Sequence, residues 1–180
     1  AGNITQTGSE LDLAVEGDGF FQIQMPDGTT EYSRSGTFKR DGQGRVVTVD
    51  GYPLMPEMVI PSNASKISIG SDGTVSVTQS GQAGTTTVGT IQLATFQNPA
   101  GLSSHGSNLY QVTDASGDAT TGTAGQNGIG TISQGYLEMS NVNVMEEMVN
   151  MIVSQRAYEI NSKTVQAADE MLQQANNMKR

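Results

Sequence analysis

The sequence predicts a mainly β protein: an antiparallel β domain over residues 1–135, then one long C-terminal α-helix over residues 136–180. Three observations carry that expectation. All 22 glycines and all 5 prolines lie at or before Gly135. Up to that point, short alternating apolar runs are separated by turn dipeptides. Beyond it, apolar residues recur every three or four positions, and six of the nine methionines crowd into the last 45 residues.

The β part reads off its punctuation. Leu11-Asp12-Leu13-Ala14-Val15 alternates, and Phe20–Met25 follows Gly17-Asp18-Gly19. Asp-Gly recurs at 27–28, 41–42, 50–51 and 72–73, Ser-Gly at 35–36, 80–81 and 116–117, and Asn-Gly at 127–128. Such pairs suit hairpin turns because Gly, Asn and Asp accept positive φ at low cost. Between them lie β-branched or aromatic runs: Arg45–Val49, Lys66–Ile69, Thr74–Thr78, Thr85–Phe96 and Asn108–Thr113. Short strands at this spacing predict an antiparallel all-β domain. Pro53, Pro56 and Pro61 bracket a stretch expected as edge strand or loop. Residues 113–130 hold no large apolar side chain before Ile129 and read as a mobile surface loop. Phe20 and Phe21 face opposite sides of their strand, so one is expected in the core and the other on a surface a neighbour covers.

The last segment carries helix signals. Asn143 and Glu146 have capping-box spacing. An apolar or small seam runs through Val142, Met145, Val149, Val153, Ala157, Ile160, Thr164, Ala167, Met171 and Met178, with Gln174 interrupting. From Val153 the steps alternate four and three, a heptad pattern. Three successive steps of four around Val149 form a stutter. Met148, Met151 and Ile152 widen the apolar face near its start. Residues 143–178 as helix would be about 54 Å long. A compact 135-residue domain is only about 37 Å across. The seam is therefore expected to need a second helix, unless the segment breaks and folds back onto its own domain. Arg156, Tyr158 and Asn161 are secondary contact candidates, against the blander reading of a solvated helix face.

Composition excludes several functions. The net charge is −9 with a pI near 4.4, and residues 1–135 carry 12 acidic against 5 basic side chains. That balance argues against nucleic acid, which needs clustered Lys and Arg, and against anionic membranes. No run of 18 apolar residues exists to insert into a membrane. Without cysteine there is no thiolate metal site, and one histidine cannot build a multi-histidine site. The repeated Asp-Gly lacks the ligand offsets of calcium loops. His105, in Ser103-Ser104-His105-Gly106-Ser107, sits in a polar segment with no nucleophile and base pattern around it. No catalytic, cofactor, metal or small-molecule site is assigned. The residues alone leave open a stalked, adhesin-like β domain, although 5% aromatics and no Trp suit a glycan site poorly.

Two sets of residues narrow the choice. One is Gly17-Asp18-Gly19-Phe20-Phe21 with Tyr32-Ser33-Arg34-Ser35-Gly36-Thr37-Phe38, continuing to Asp41 and Gly44–Val47. The other runs Gln134–Glu138, Ser140–Val144, Glu146–Ile152 and Gln155–Lys163. Over essentially the whole chain these resemble the axial proteins of the bacterial flagellar rod and hook. The resemblance implies a structural subunit without enzymatic activity or cofactor, whose partners are further copies of itself and neighbouring rod and hook proteins. It implies export by the flagellar type III apparatus and a place in the periplasm-spanning rod of the basal body. Family members begin with an N-terminal helix and linker. Neither is seen in this sequence, so Ala1 is expected to begin a truncated chain whose C-terminal helix lacks its partner.

Overall fold

The computed structural model describes residues 2–81, 84–139 and 144–177, with helix side chains at 148–168, 170 and 171. The chain forms two compact units, Ala1–Met139 and Ser140–Arg180. In chain order the strands are β1 (Ile4–Gln6), β2 (Leu13–Glu16), β3 (Phe20–Gln24), β4 (Thr30–Ser33), β5 (Phe38–Arg40), β6 (Val46–Thr48), β7 (Leu54–Met55) and β8 (Ala64–Ile69). They continue as β9 (Thr74–Gln79), β10 (Thr85–Thr90), β11 (Gln92–Thr95), β12 (Ser103–Gly106), β13 (Leu109–Gln111), β14 (Thr120–Thr123), β15 (Thr131–Gln134) and β16 (Tyr136–Glu138). Among the described residues a single α-helix, α1, spans Val144–Asn177, and a short 3-10 turn covers Pro99–Gly101.

The largest sheet has the order β12-β13-β4-β3-β11-β14, with β7 also on β3. All its pairings are antiparallel. β11 pairs the first half of β3 and β7 the second half. A meander β8-β9-β10 and the pairs β2–β15, β5–β6 and β1–β16 complete the unit. The Asp-Gly turns work as their chemistry predicts. Between β3 and β4, Asp27 accepts from the Thr29 amide at 2.9 Å and hydroxyl at 2.6 Å. Between β8 and β9, Asp72 does the same for Thr74 at 3.0 and 2.8 Å. Each carboxyl lies below its ordinary pKa, Asp27 chiefly through the Thr29 hydroxyl and Asp72 chiefly through the Thr74 amide. Asp41, before β6, accepts from the amides of Gln43 and Arg45 and from the Arg45 side chain. Desolvation alone pushes Asp41 up, but these bonds and the Arg45 charge outweigh it, and the carboxyl is lowered.

Alternation sorts the side chains. Phe21 and Ile23 of β3 are fully buried, as are Val75 and Val77 of β9 and Leu93 of β11. Leu13, Val15, Phe38, Leu54, Ile60, Ile91 and Ile132 belong to the same core. Phe21 meets Phe38 edge-on with ring centroids 5.1 Å apart. Gly36 sits where the chain crosses β2 so closely that a Cβ there would lie 1.6 Å from the Leu13 carbonyl oxygen.

Four features differ from the sequence expectation. The segment 113–130 is not simply a loop: β14 pairs with β11 through four residues, and Ser116, Ala124 and Ile129 are buried. A strand can join a sheet through its backbone bonds alone, so Thr-Thr-Gly-Thr suffices without an apolar pattern. The Pro53–Pro61 stretch supplies Leu54, Met58 and Ile60 to the core. Thr85–Phe96 is two strands, broken at Ile91. The β unit also runs past Gly135, through β16 to Met139. Gly135, with φ +79°, is a turn between β15 and β16. No glycine or proline marks the true end, because β16 contains neither.

Candidate interaction surfaces

The 34 residues of α1 form about 51 Å of continuous helix. Every seam residue whose side chain is described is exposed: Val149, Ile152, Val153, Ala157, Ile160, Thr164, Ala167 and Met171. Met145 lies in the helix but its side chain is outside the described set, and Val142 and Met178 lie outside the described residues, as does Asn143 of the expected cap. Val153 and Ile160 leave 60% and 63% of their surface in solvent, values that no buried seam shows. The Thr164 hydroxyl donates to the Ile160 carbonyl at 2.8 Å. Its polar group is thus satisfied within its own turn, and its methyl group is left for apolar contact.

Arg156, Tyr158 and Asn161 are exposed as well. At about 100° per residue, Arg156 falls within the seam, whereas Tyr158 lies on the opposite side. Tyr158 shares that side with Met151 and Val165, all strongly exposed. Large apolar groups therefore occur on two sides of the helix. That differs from the single apolar stripe of an ordinary surface helix.

The two phenylalanines divide as their alternation requires. Phe21 is core, and Phe20 is half-buried on the opposite face of the large sheet. There it meets Phe96 at 5.5 Å and Tyr110 at 6.0 Å, while Phe96 meets Tyr32 at 4.8 Å, all edge to face. Burial raises the Tyr32 phenol above its ordinary pKa. Phe20 and Phe96 line an open cleft of about 440 Å³ with Gly17, Asp18, Gly19, Thr95, Gln97 and Pro99. Arg34 and Glu138 close one side of it.

Arg34 is the most heavily bonded side chain of this region. Its Nη1 donates to the carbonyls of Gly17 at 2.8 Å and Gly19 at 2.7 Å, and its Nη2 to Val15 at 3.1 Å. Its Nε donates to Glu138 Oε2 at 2.9 Å, and Nη2 stands 2.9 Å from the same oxygen. The guanidinium also lies over the Phe20 ring, 5.9 Å from its centroid. The Gly-Asp-Gly segment and the Tyr-x-Arg-x-Gly segment, separate in sequence, are thus one bonded unit. Sequence reasoning quoted both but did not join them; an isolated Arg between alternating strands was the only signal.

A second association was also missed. Glu31, on the core side of β4, is 2% exposed, and its Oε1 pairs with His105 Nδ1 of β12. Among the described residues Glu31 Oε2 has no hydrogen-bond partner. His105 thus serves to cover a buried carboxylate. Among the described residues no cluster of three or more His, Cys, Asp or Glu has metal-site geometry, and no helix is long and apolar enough to cross a membrane.

Among the described residues, the β unit holds no metal-type cluster and the helix that follows it carries exposed apolar side chains. Comparison with known proteins shows the family. The model of the flagellar hook protein FlgE/F/G D1 domain matches residues 14–77, and that of the flagellar basal body rod FlgEFG protein C-terminal region matches residues 133–178. The flagellar basal-body rod protein FlgG of Borreliella burgdorferi is 47% identical over 181 residues, covering 99% of this chain and 68% of that protein. FlgG of Buchnera aphidicola (subsp. Schizaphis graminum) is 52% identical over 172 residues, 96% of this chain and 66% of its own length. FlgG of Bacillus subtilis is 44% identical over 179 residues, covering 97% and 67%. The chain belongs to the flagellar basal-body rod protein family. It spans about two thirds of the length of the relatives it matches. The stalked-adhesin alternative is displaced by that membership.

Proposed function

We propose that the chain is a structural subunit of the distal rod of the bacterial flagellar basal body. Copies assemble into a hollow helical shaft that carries motor torque across the periplasm to the hook. The partners are other copies of the subunit and the neighbouring rod and hook proteins, and export runs through the flagellar type III apparatus. The role is mechanical and needs no catalytic residue or cofactor. The observation that carries this reading is α1, with exposed apolar residues on two sides, in a chain 44–52% identical to the named FlgG proteins. Seam residues Val149, Ile152, Val153, Ala157, Ile160, Thr164, Ala167 and Met171 pack against helices of adjoining subunits. Met145, Val142 and Met178 extend the same seam in sequence. Tyr158, Arg156 and Asn161 meet further neighbours, and small residues such as Ala157 and Ala167 permit close approach. Each contact is thin, and stability comes from many neighbours together.

The test is a full-length gene carrying Val153→Asp or Ile160→Asp, placed in a flagellated bacterium that lacks its own copy. The expected result is export of a folded subunit, no distal rod in isolated basal bodies, and no swimming. Normal rods and full motility in both strains would refute the helix-contact role.

A further inference from the structure

We infer that Arg34 and Glu138 form a latch that fixes the β1–β16 ribbon to the β unit across a glycine hinge. The ribbon is the element that matters mechanically, because α1 begins only six residues after Glu138. This inference rests on the proposed role as a torque-bearing subunit for its purpose, but not for its geometry.

The geometry is that of a short lever held at both ends. Among the described residues β16 pairs only with β1, in the register Ile4↔Glu138, Thr5↔Leu137 and Gln6↔Tyr136. A two-stranded ribbon of three residues per strand is marginal by itself. One end is attached at the turn: the Gly135 amide donates to the Asp12 carbonyl at 2.7 Å, and the Thr7 amide donates to the Gly135 carbonyl at 2.8 Å. Gly135 has φ +79°. With no side chain to obstruct rotation, it is the natural pivot. At the far end Glu138 meets Arg34, which is anchored in turn to the carbonyls of Val15, Gly17 and Gly19. Glu138 Oε1 also accepts from the Gly2 amide at 2.6 Å, so one carboxylate ties both Arg34 and the segment ahead of β1 to β16. Between the two ends Tyr136 and Leu137 are only half-buried, and Ile4, Thr5 and Gln6 are exposed. Packing of β16 on β2 covers the ribbon only in part, and the latch adds to it. The pair is partly sheltered, with 23% and 14% of the two side chains exposed, so water weakens it less than it would an open surface bridge. Arginine suits the task better than lysine, because its planar fork can hold a carboxylate and several carbonyls at once.

The test is amide hydrogen exchange on the 180-residue chain, comparing native protein with Glu138→Ala and Arg34→Lys. Glu138→Ala leaves the Arg34 bonds to the three carbonyls intact, so it separates loosening of the ribbon from damage to the β2–β3 turn. The expected result is exchange about tenfold or more faster at the amides of β1, β16 and Met139, with the amides of β3 and β9 unchanged. Protection in β1 and β16 equal to that of the native chain in both variants would overturn the latch. In the full-length protein, Glu138→Ala is expected to assemble rods and swim normally at low load but slow disproportionately in viscous medium. A normal dependence of speed on load in a variant with loosened amides would refute the mechanical purpose. Native full-length protein that builds no rod would refute the proposed function and leave the exchange result standing.

Discussion

Gly36→Ala tests the tightest glycine site of the β unit. Gly36 lies between β4 and β5, and its carbonyl accepts from the Leu13 amide at 2.9 Å. A Cβ on this residue would sit 1.6 Å from the Leu13 oxygen and 2.6 Å from its carbonyl carbon. Real Cβ atoms essentially never come within 3.0 Å of such a neighbour, so the chains must separate by at least 1.4 Å, the difference between those two distances. Both partners are backbone, and no side chain can rotate away. Separation lengthens the Leu13–Gly36 bond beyond use and strips a buried amide of its acceptor, at a cost of about 1–3 kcal/mol. It also displaces Leu13 and Phe38, which are 1% and 4% exposed, and overpacking shifts of this kind cost about 1–3 kcal/mol more. The sum is about 4 kcal/mol, which at roughly 3 °C per kcal/mol lowers Tm by about 12 °C. Gly42→Ala is the control: its Cβ meets nothing within 4 Å and its φ is not positive. It should be neutral or raise stability by up to about 1 kcal/mol, by restricting the unfolded chain. Thermal and urea unfolding followed by near-UV circular dichroism of the tyrosines reads both variants. Equal midpoints for the two would refute the steric argument.

Three further outcomes are expected. His105→Ala leaves the buried Glu31 carboxylate unpaired and should cost about 1–3 kcal/mol; adding Glu31→Leu should recover most of it, whereas further loss in the double variant would contradict the pairing. Swimming of the His105→Ala strain at moderate temperature should match wild type, because the proposed role is mechanical; loss of motility by a folded variant would contradict it. The lowered carboxyls of Asp27 and Asp72 give the folded state stability that is present above their unfolded pKa, near 3.8, and lost as pH falls through the folded values. Tm should accordingly hold at pH 5 and fall on further acidification, less steeply in the Asp27→Asn/Asp72→Asn double variant; superimposable profiles would show that these turns do not contribute.

Much of the fold was legible because it depends on local rules. Asp27-Gly28-Thr29 and Asp72-Gly73-Thr74 declare their turns, since the Asp side chain finds its acceptor role two residues on. Phe20-Phe21 declares two faces, since strand side chains alternate. The long C-terminal run free of Gly and Pro declares a helix. Thr120–Thr123 was not legible, because a strand held by backbone bonds to β11 leaves no side-chain signature. β16 was hidden for a related reason: its partner, β1, lies 130 or more residues away in sequence.

By itself the sequence determined a turn-rich antiparallel β unit and a long helix with an apolar seam. Periodicity and positive-φ residues act over a few neighbouring positions and need no knowledge of the rest of the chain. Only the tertiary structure decided which carbonyls surround Arg34, that Glu138 closes the ribbon back onto that arginine, that His105 covers Glu31, and that Gly36 must be glycine. Those are meetings between residues far apart in the chain, fixed by how strands stack and cross, and sequence spacing carries no record of such distances.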